Sequence, residues 1–371
     1  MKEKRFIMPK KDLWRYLSES DKKIVMYGMG NGADKILSIC EGRGIEVADF
    51  FASDGFVRGH LFHGKRVLSY GEAKEKYGAE NMIVLLSFAS SLPDVLANIY
   101  RIAEECELYA PDVPVCGTNL FDSVFYEENK AKINAVEALL ADEKSREVYR
   151  SVINYKLSGD VKLLRETYSD FSEVYRDILH AENFEYIADL GAYNGDTLRE
   201  IKPYAIRLRS AVAFEPDRRN HKKLETWAET EDGFEITAYQ NAAWDKSETL
   251  IFDGSGNRNS TLVSGDNMPV TKGAKIVEVE ARSLDEVLSG VCVDYIKYDV
   301  EGAEREALCG SHETIEKCYP ALLVSLYHRS EDIFELPLIL HEKYPDYKFY
   351  MRRREYIPAW DTVLLAVKEK I

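Results

Sequence analysis

The sequence predicts an α/β protein made of two sheet-and-helix units in tandem, joined by a helical connector. Two glycine-bearing strand-to-helix turns, at Gly28 in KKIVMYGMGNGADKILSIC and at Gly191 in FEYIADLGAYNGDTLREI, each open an alternation of short apolar runs with helical patterns. Many of those runs are continuous rather than alternating, as strands covered on both faces should be. The chain is 371 residues long and 45% hydrophobic, enough for two or three units that each bury a core.

In the first unit, residues 1–124, the runs IVMYG, IEVADFF, MIVLLSF and DVPVCG read as buried parallel strands. Residues 125–183 lack proline and repeat apolar side chains at helical spacing, as in Ile133, Val136, Leu139 and Leu140, then Val148, Val152 and Ile153. That pattern defines the connector and equally suits a helical lid or a homodimer surface. The third segment, residues 184–371, offers strands at YIADLG, AVAFE, FEITAYQNAA, KIVEVEA, VDYIKYDV and ALLVSLY. KFYMRR and TVLLAV follow, parted by a short loop with Pro358 and Trp360 that permits an antiparallel pair at a sheet edge.

Composition narrows the function. A formal net charge of −15 repels a phosphate backbone, which disfavours a nucleic-acid substrate. The start, MKEKRFIMPKKDLW, has no apolar leader core, and no apolar run approaches the roughly 20 residues needed to span a bilayer. A soluble, cytoplasmic protein is expected. The six cysteines show no paired metal-ligand spacing, so they read as reduced thiols and no metal site is assigned.

Two clusters carry chemistry. Asp189 ends a strand, and Gly191 and Gly195 follow in a turn where backbone can meet a ligand without Cβ obstruction. Carboxylates at Asp189 and Asp196 would repel a pyrophosphate, so the turn suits a cationic or zwitterionic adenosine compound. Glu215 ends the next strand, near the spacing at which a carboxylate meets ribose hydroxyls. In the second cluster, YIKYDVEGAE, Lys297 and Asp299 project from one face of a strand and can pair. Asp299 and Glu301 then stand at the carboxyl end of that strand, where open α/β sheets bind ligands. His328 follows ALLVSLY, at the end of a further strand, as a candidate proton acceptor.

Taken in order, DLGAYNGDT, AFEPD, QNAAWD, the Ser260-Thr261 pair, RSLDEV, YIKYDVEGAE and SLYHR resemble the FkbM family of S-adenosylmethionine-dependent methyltransferases. The resemblance covers about residues 185–371. It implies the seven-stranded class I methyltransferase sheet with its last strand antiparallel, and O-methylation of a hydroxyl on a small polar metabolite or sugar precursor. It also implies S-adenosylmethionine held by Asp189, Gly191, Tyr193, Asn194, Gly195 and Thr197 at the methionine end. Glu215 and Pro216 would meet the ribose, Asn241 and Ala242 the adenine edge, and Asp299 the donor and acceptor alike. Tyr193 takes the place of the middle glycine of the broader class I turn. For catalysis we expect His328 as base, Asp299 orienting it or the acceptor, Lys297 paired with Asp299, and Glu301 or Glu304 holding acceptor hydroxyls.

The first unit resembles the small Rossmann-like domains that precede sugar-modifying enzymes, with Gly28, Gly30 and Ala33 in a GxGxxA turn and Asp49 or Asp54 near ribose distance. A nucleotide-sugar could sit there. The turn also admits two other readings: a nucleotide-dependent oxidoreductase and a non-catalytic nucleotide-sugar-binding protein. His60 and His63 fall in a loop and receive no ligand role.

Overall fold

The computed structural model describes residues 11–253, apart from 54, 56, 58 and 60, and residues 276–368. Asp54, His60, Ser260 and Thr261 therefore lie outside the described residues. The first unit forms a five-stranded parallel sheet, with β1 (Lys23–Tyr27) at its centre between β2 (Val47–Ala52) and β4 (Met82–Leu86). β3 (Leu68–Ser69) and β5 (Glu107–Tyr109) lie at the edges. The run DVPVCG, expected as a strand, is irregular. Pro111 and Pro114 each remove an amide that a ladder would need, and the edge is taken by Glu107–Tyr109 instead.

The turn after β1 leads into α1 (Asn31–Gly42), and two of its glycines serve close packing. Gly28 has φ +115°, and a Cβ there would lie 2.6 Å from Ser87 Oγ; at Gly32 a Cβ would lie 2.2 Å from the Ser87 carbonyl oxygen. Asp49 does not wait at a strand end for a ribose. It sits inside β2, where its carboxylate accepts from Lys76 Nζ at 2.7 Å and from the Tyr77 hydroxyl at 2.5 Å. His63 pairs with Asp34 at 2.7 Å.

The connector is two long helices, α2 (Ser123–Leu139) and α3 (Glu143–Ser158), capped by Asp122 and Asp142, whose side chains accept from first-turn amides. The stripe predicted from spacing is buried: Ile133, Val136, Val148, Val152 and Ile153 are all within 1% of full burial. They join Val25 and Val84 of the first sheet and Ile296, Val324 and Leu364 of the second in one continuous core. The connector is thus sandwiched between sheets rather than laid over a cleft. Arg352 fixes it from the second sheet, donating to Asp142 at 2.6 Å and to Ser145 Oγ at 2.7 Å.

The second sheet has seven strands: β6 (Tyr186–Leu190), β7 (Ser210–Phe214), β8 (Glu235–Tyr239), β9 (Tyr295–Tyr298), β10 (Ala321–Ser325), β11 (Lys348–Arg353) and β12 (Thr362–Val367). Their spatial order is β8-β7-β6-β9-β10-β12-β11, all parallel except β12, which runs antiparallel to both neighbours. A three-stranded sheet of Ala242–Ala243, Glu248–Asp253 and Ile276–Arg282 lies outside it. One expectation about thiols is corrected: Cys292 and Cys318 form a disulfide. Each lies three residues before one member of the Tyr295–Ala321 pair, so parallel register brings them side by side, with Cα atoms 5.6 Å apart. Among the described residues no helix is long and apolar enough to cross a membrane.

Candidate active site

Strand polarity sets the site. The carboxyl ends of β6, β7, β9 and β10 open into a cavity of 380 Å³. One side is walled by Gly191, Tyr193, Asp196, Phe214, Glu215 and Ala242; Lys297, Asp299, Glu301 and Tyr327 stand at its centre. The far side comes from Phe171, Tyr175, Arg354 and Trp360, and from Ser91 and Val115 of the first unit. Ser90 and Ile357 exchange backbone hydrogen bonds of 2.8 and 3.0 Å beside it, tying the loop after β4 to the β11–β12 loop.

The turn after β6 depends on two glycines for different reasons. Gly191 has φ +85°, and a Cβ there would come within 1.9 Å of the Asp299 carbonyl oxygen, so only glycine lets the two strand ends approach. Gly195 has φ +84°, and a Cβ would press into the Trp227 ring at 2.4 Å. Tyr193 adopts φ +49°, and its amide donates to Glu215 Oε2 at 2.8 Å. Asp217 donates its amide to the other Glu215 oxygen at 2.8 Å. Burial outweighs those two bonds and pushes Glu215 up to about 8.

Asp189 and Lys297 are paired residues on neighbouring strands. Lys297 Nζ lies 3.3 Å from Asp189 Oδ1, 3.5 Å from Asp299 Oδ2 and 3.0 Å from the Gly191 carbonyl oxygen. Burial works against the Lys297 charge, but the two aspartates outweigh it and raise its pKa. Asp189 is fully buried beneath the turn, with Oδ2 lacking a hydrogen-bond partner, and burial lifts it to about 6 against the pull of Lys297. Its charge is thus spent on Lys297, and Asp196 is the turn carboxylate that faces the cavity. Asn194 accepts from Arg199 at 2.6 Å and Asn241 donates to the Glu280 carbonyl oxygen at 3.0 Å. Neither side chain is in the cavity wall, whereas Thr197, Pro216 and Ala242 are.

Asp299 Oδ1 accepts from Ser325 and Tyr327 hydroxyls, both at 2.9 Å. Burial raises its pKa, yet Lys297, His328 and these hydroxyls outweigh that and hold it low. Glu301 adopts left-handed backbone with φ +54°, unusual outside glycine and a mark of local strain. Burial, reinforced by Asp299 and Glu304 against the pull of His328, brings Glu301 to about 7.

His328 departs from expectation. Its side chain is wholly buried and outside the cavity wall, with Nδ1 2.9 Å from Glu304 Oε1 and Nε2 3.4 Å from Glu301 Oε2 and 3.7 Å from Asp299 Oδ1. The Nδ1 contact is a close ion pair without hydrogen-bond alignment. Burial opposes its charge, but the three carboxylates prevail and raise it to about 10. Set behind Glu301 and outside the cavity wall, the imidazole is placed to hold positive charge among these carboxylates rather than to meet an acceptor directly. Among the described residues no cluster of three or more His, Cys, Asp or Glu side chains is arranged to hold a metal ion.

Residues 189–358 match the family model for the methyltransferase FkbM domain. The second unit is an FkbM methyltransferase domain. The chain also resembles the crystal structure of a methyltransferase FkbM from Methylobacillus flagellatus KT, with a TM-score of 0.70, at 19% identity over 93% of this chain and 90% of that one. Far weaker is the likeness to an rRNA methylase from Streptococcus thermophilus, with a TM-score of 0.35, at 10% identity over 54% of this chain and 98% of that one. None of the curated proteins matches the sequence.

The FkbM domain makes the chain an S-adenosylmethionine-dependent methyltransferase. Its residues fit that group: among the described residues the wall beside the Gly191 turn carries Asp196, Asp217 and Glu215, and the one cation next to the turn, Lys297, is taken up by Asp189 and Asp299. That charge suits an ammonium and sulfonium and opposes a diphosphate. Phe214, Asp217 and Asn220 belong to this wall and went unassigned in the sequence, although Phe214 and Asp217 flank Glu215 in AFEPD.

Proposed function

We propose that the enzyme methylates a hydroxyl oxygen of a small, uncharged, polyhydroxylated molecule such as a sugar, with Glu301 as proton acceptor. The observation that carries this reading is Glu301 itself: a carboxylate in the cavity wall, titrating about where a base at neutral pH must. When bound, S-adenosylmethionine supplies an electrophilic methyl group for in-line displacement. Gly191, Tyr193, Asp196 and Thr197 hold its amino-acid end, Glu215 and Asp217 the ribose, and Phe214, Ala242 and Ala243 the adenine.

Asp299 is already satisfied by Ser325, Tyr327 and Lys297, so it orients the acceptor and leaves the proton to Glu301. His328 keeps Glu301 from climbing higher by placing a permanent positive charge behind it. The acceptor side favours an uncharged molecule. Carboxylates outnumber cations seven to two among the described lining side chains, and both cations are engaged, Lys297 by two aspartates and Arg354 by both oxygens of Glu200 at 2.8 Å. Tyr327, Tyr356 and Trp360 add ring faces, with Trp360 6.3 Å from Tyr327 and 6.0 Å from Tyr356.

Calorimetry with S-adenosylhomocysteine, and methyl transfer from labelled S-adenosylmethionine to a panel of methyl glycosides, test the reading. Gly191→Ala should abolish nucleoside binding, because its Cβ has no room. Glu301→Gln should bind the nucleoside within threefold of the parent and lose about 100-fold or more in turnover. Turnover within twofold of the parent in Glu301→Gln would remove Glu301 from the chemistry.

A further inference from the structure

The irregular segment after Pro111 belongs to the first unit and is held there by Lys35 and Lys156, yet it also meets the catalytic loops of the second. Cys116 is 4% exposed. Its thiol donates to the Glu301 carbonyl oxygen at 3.0 Å, and its amide donates to the His328 carbonyl oxygen at 2.9 Å. A Cβ on Gly302 would lie 2.9 Å from its Sγ, so the loop after β9 folds directly against it. On the same stretch Val115 lines the cavity, and the Asn119 carbonyl oxygen accepts from Ser330 Oγ at 2.6 Å. One residue therefore touches the backbone of both members of the Glu301–His328 pair.

We propose that Cys116 is a positioning residue for methyl transfer, through which the first unit completes the catalytic site of the second. This rests on the reading of Glu301 as proton acceptor. Glu301 holds a left-handed backbone that a non-glycine residue adopts only when its surroundings impose it. The thiol supplies that constraint from one side, while Arg329 donates to the Gly302 carbonyl oxygen at 2.9 and 3.1 Å from the other. Burial, with Glu301 and Glu304 adding to it, raises the Cys116 pKa, so the sulfur keeps the hydrogen it donates. Valine is one methyl group bulkier than cysteine and cannot donate; serine is slightly smaller and can. Losing the bond lets Glu301 turn toward solvent and away from the acceptor oxygen.

The experiment compares the parent with Cys116→Val and Cys116→Ser, using the methyl glycoside that turns over fastest. Cys116→Val should lose about tenfold or more in kcat. Its S-adenosylhomocysteine affinity should stay within twofold, and the acidic limb of its kcat–pH profile should move to lower pH. Cys116→Ser should recover to within threefold. Parent-like kcat and pH profile in Cys116→Val would overturn the proposal, as would a serine variant no better than valine. A second measurement needs no acceptor: the change in melting temperature that Glu301→Gln produces, followed against pH, reports Glu301 ionisation. Cys116→Val should shift its midpoint to lower pH, and an unmoved midpoint would overturn the proposal. If no glycoside is methylated while the midpoint shifts, the acceptor reading fails and the positioning role stands.

Discussion

At the scale of single residues, the site is a set of ionisable groups whose ordinary behaviour is rearranged by burial. Glu304, Glu301 and Asp299 surround His328 and favour its charged form, and Glu304 is itself 1% exposed with Oε2 unpartnered. His328→Gln should therefore cost about 3–5 kcal/mol of stability in a urea titration, since it strands a buried charge. A base at that position would instead show normal stability and lost turnover. The pH dependence follows from the direction of each shift. His328 is raised to about 10, so its contribution is complete below its ordinary value near 6.5 and is lost as pH climbs through about 10. Glu301 is also raised, so what it contributes is complete below its ordinary value and is lost as pH climbs through about 7. Melting temperature should fall in two stages; the first, shared with the raised Asp189, Glu215 and Asp332, should be smaller in Glu301→Gln, and the second should be missing in His328→Gln. The cluster YIKYDVEGAE was visible in the sequence; the ion cage was not. Its geometry needs two loops from adjacent strands, and nothing local to His328 announces three carboxylates around it.

At the scale of elements, parallel register explains both what was legible and what was missed. Continuous apolar runs marked the strands of the second sheet, and the proline-bearing loop marked the antiparallel pair that closes it. DVPVCG has the same apolar look, but Pro111 before it and Pro114 within it make it a strap that crosses to the other unit. The disulfide follows from register too, because Cys292 and Cys318 become neighbours only once Tyr295 is known to pair with Ala321. It lies at the amino ends of β9 and β10, opposite the site. Closing a loop with a sequence separation of 26, it should add about 3 kcal/mol. Cys318→Ser should lower the urea midpoint by a corresponding amount and leave methyl transfer within twofold; a variant as stable as the parent would show that the bridge contributes nothing.

At the scale of the molecule, the two sheets share a core through α2 and α3, so neither unit closes its apolar face alone. The full chain should melt in a single transition, and a chain starting at residue 184 should be aggregated or unfolded by size exclusion and circular dichroism. A soluble, folded fragment would separate the units. The sequence divided the chain at its composition changes near residues 124 and 183. It did not reveal that the pieces interlock, because a helical stripe records that a face is buried without recording against what.

Ser91 and Val115, in the cavity wall, stand outside the stretch from 189 to 358 that identifies the catalytic domain. Two enzymes sharing every residue of that stretch would therefore part company in substrate choice once their front halves diverged. Swapping front halves between such relatives, with Cys116 kept in place, is a direct way to retarget the reaction.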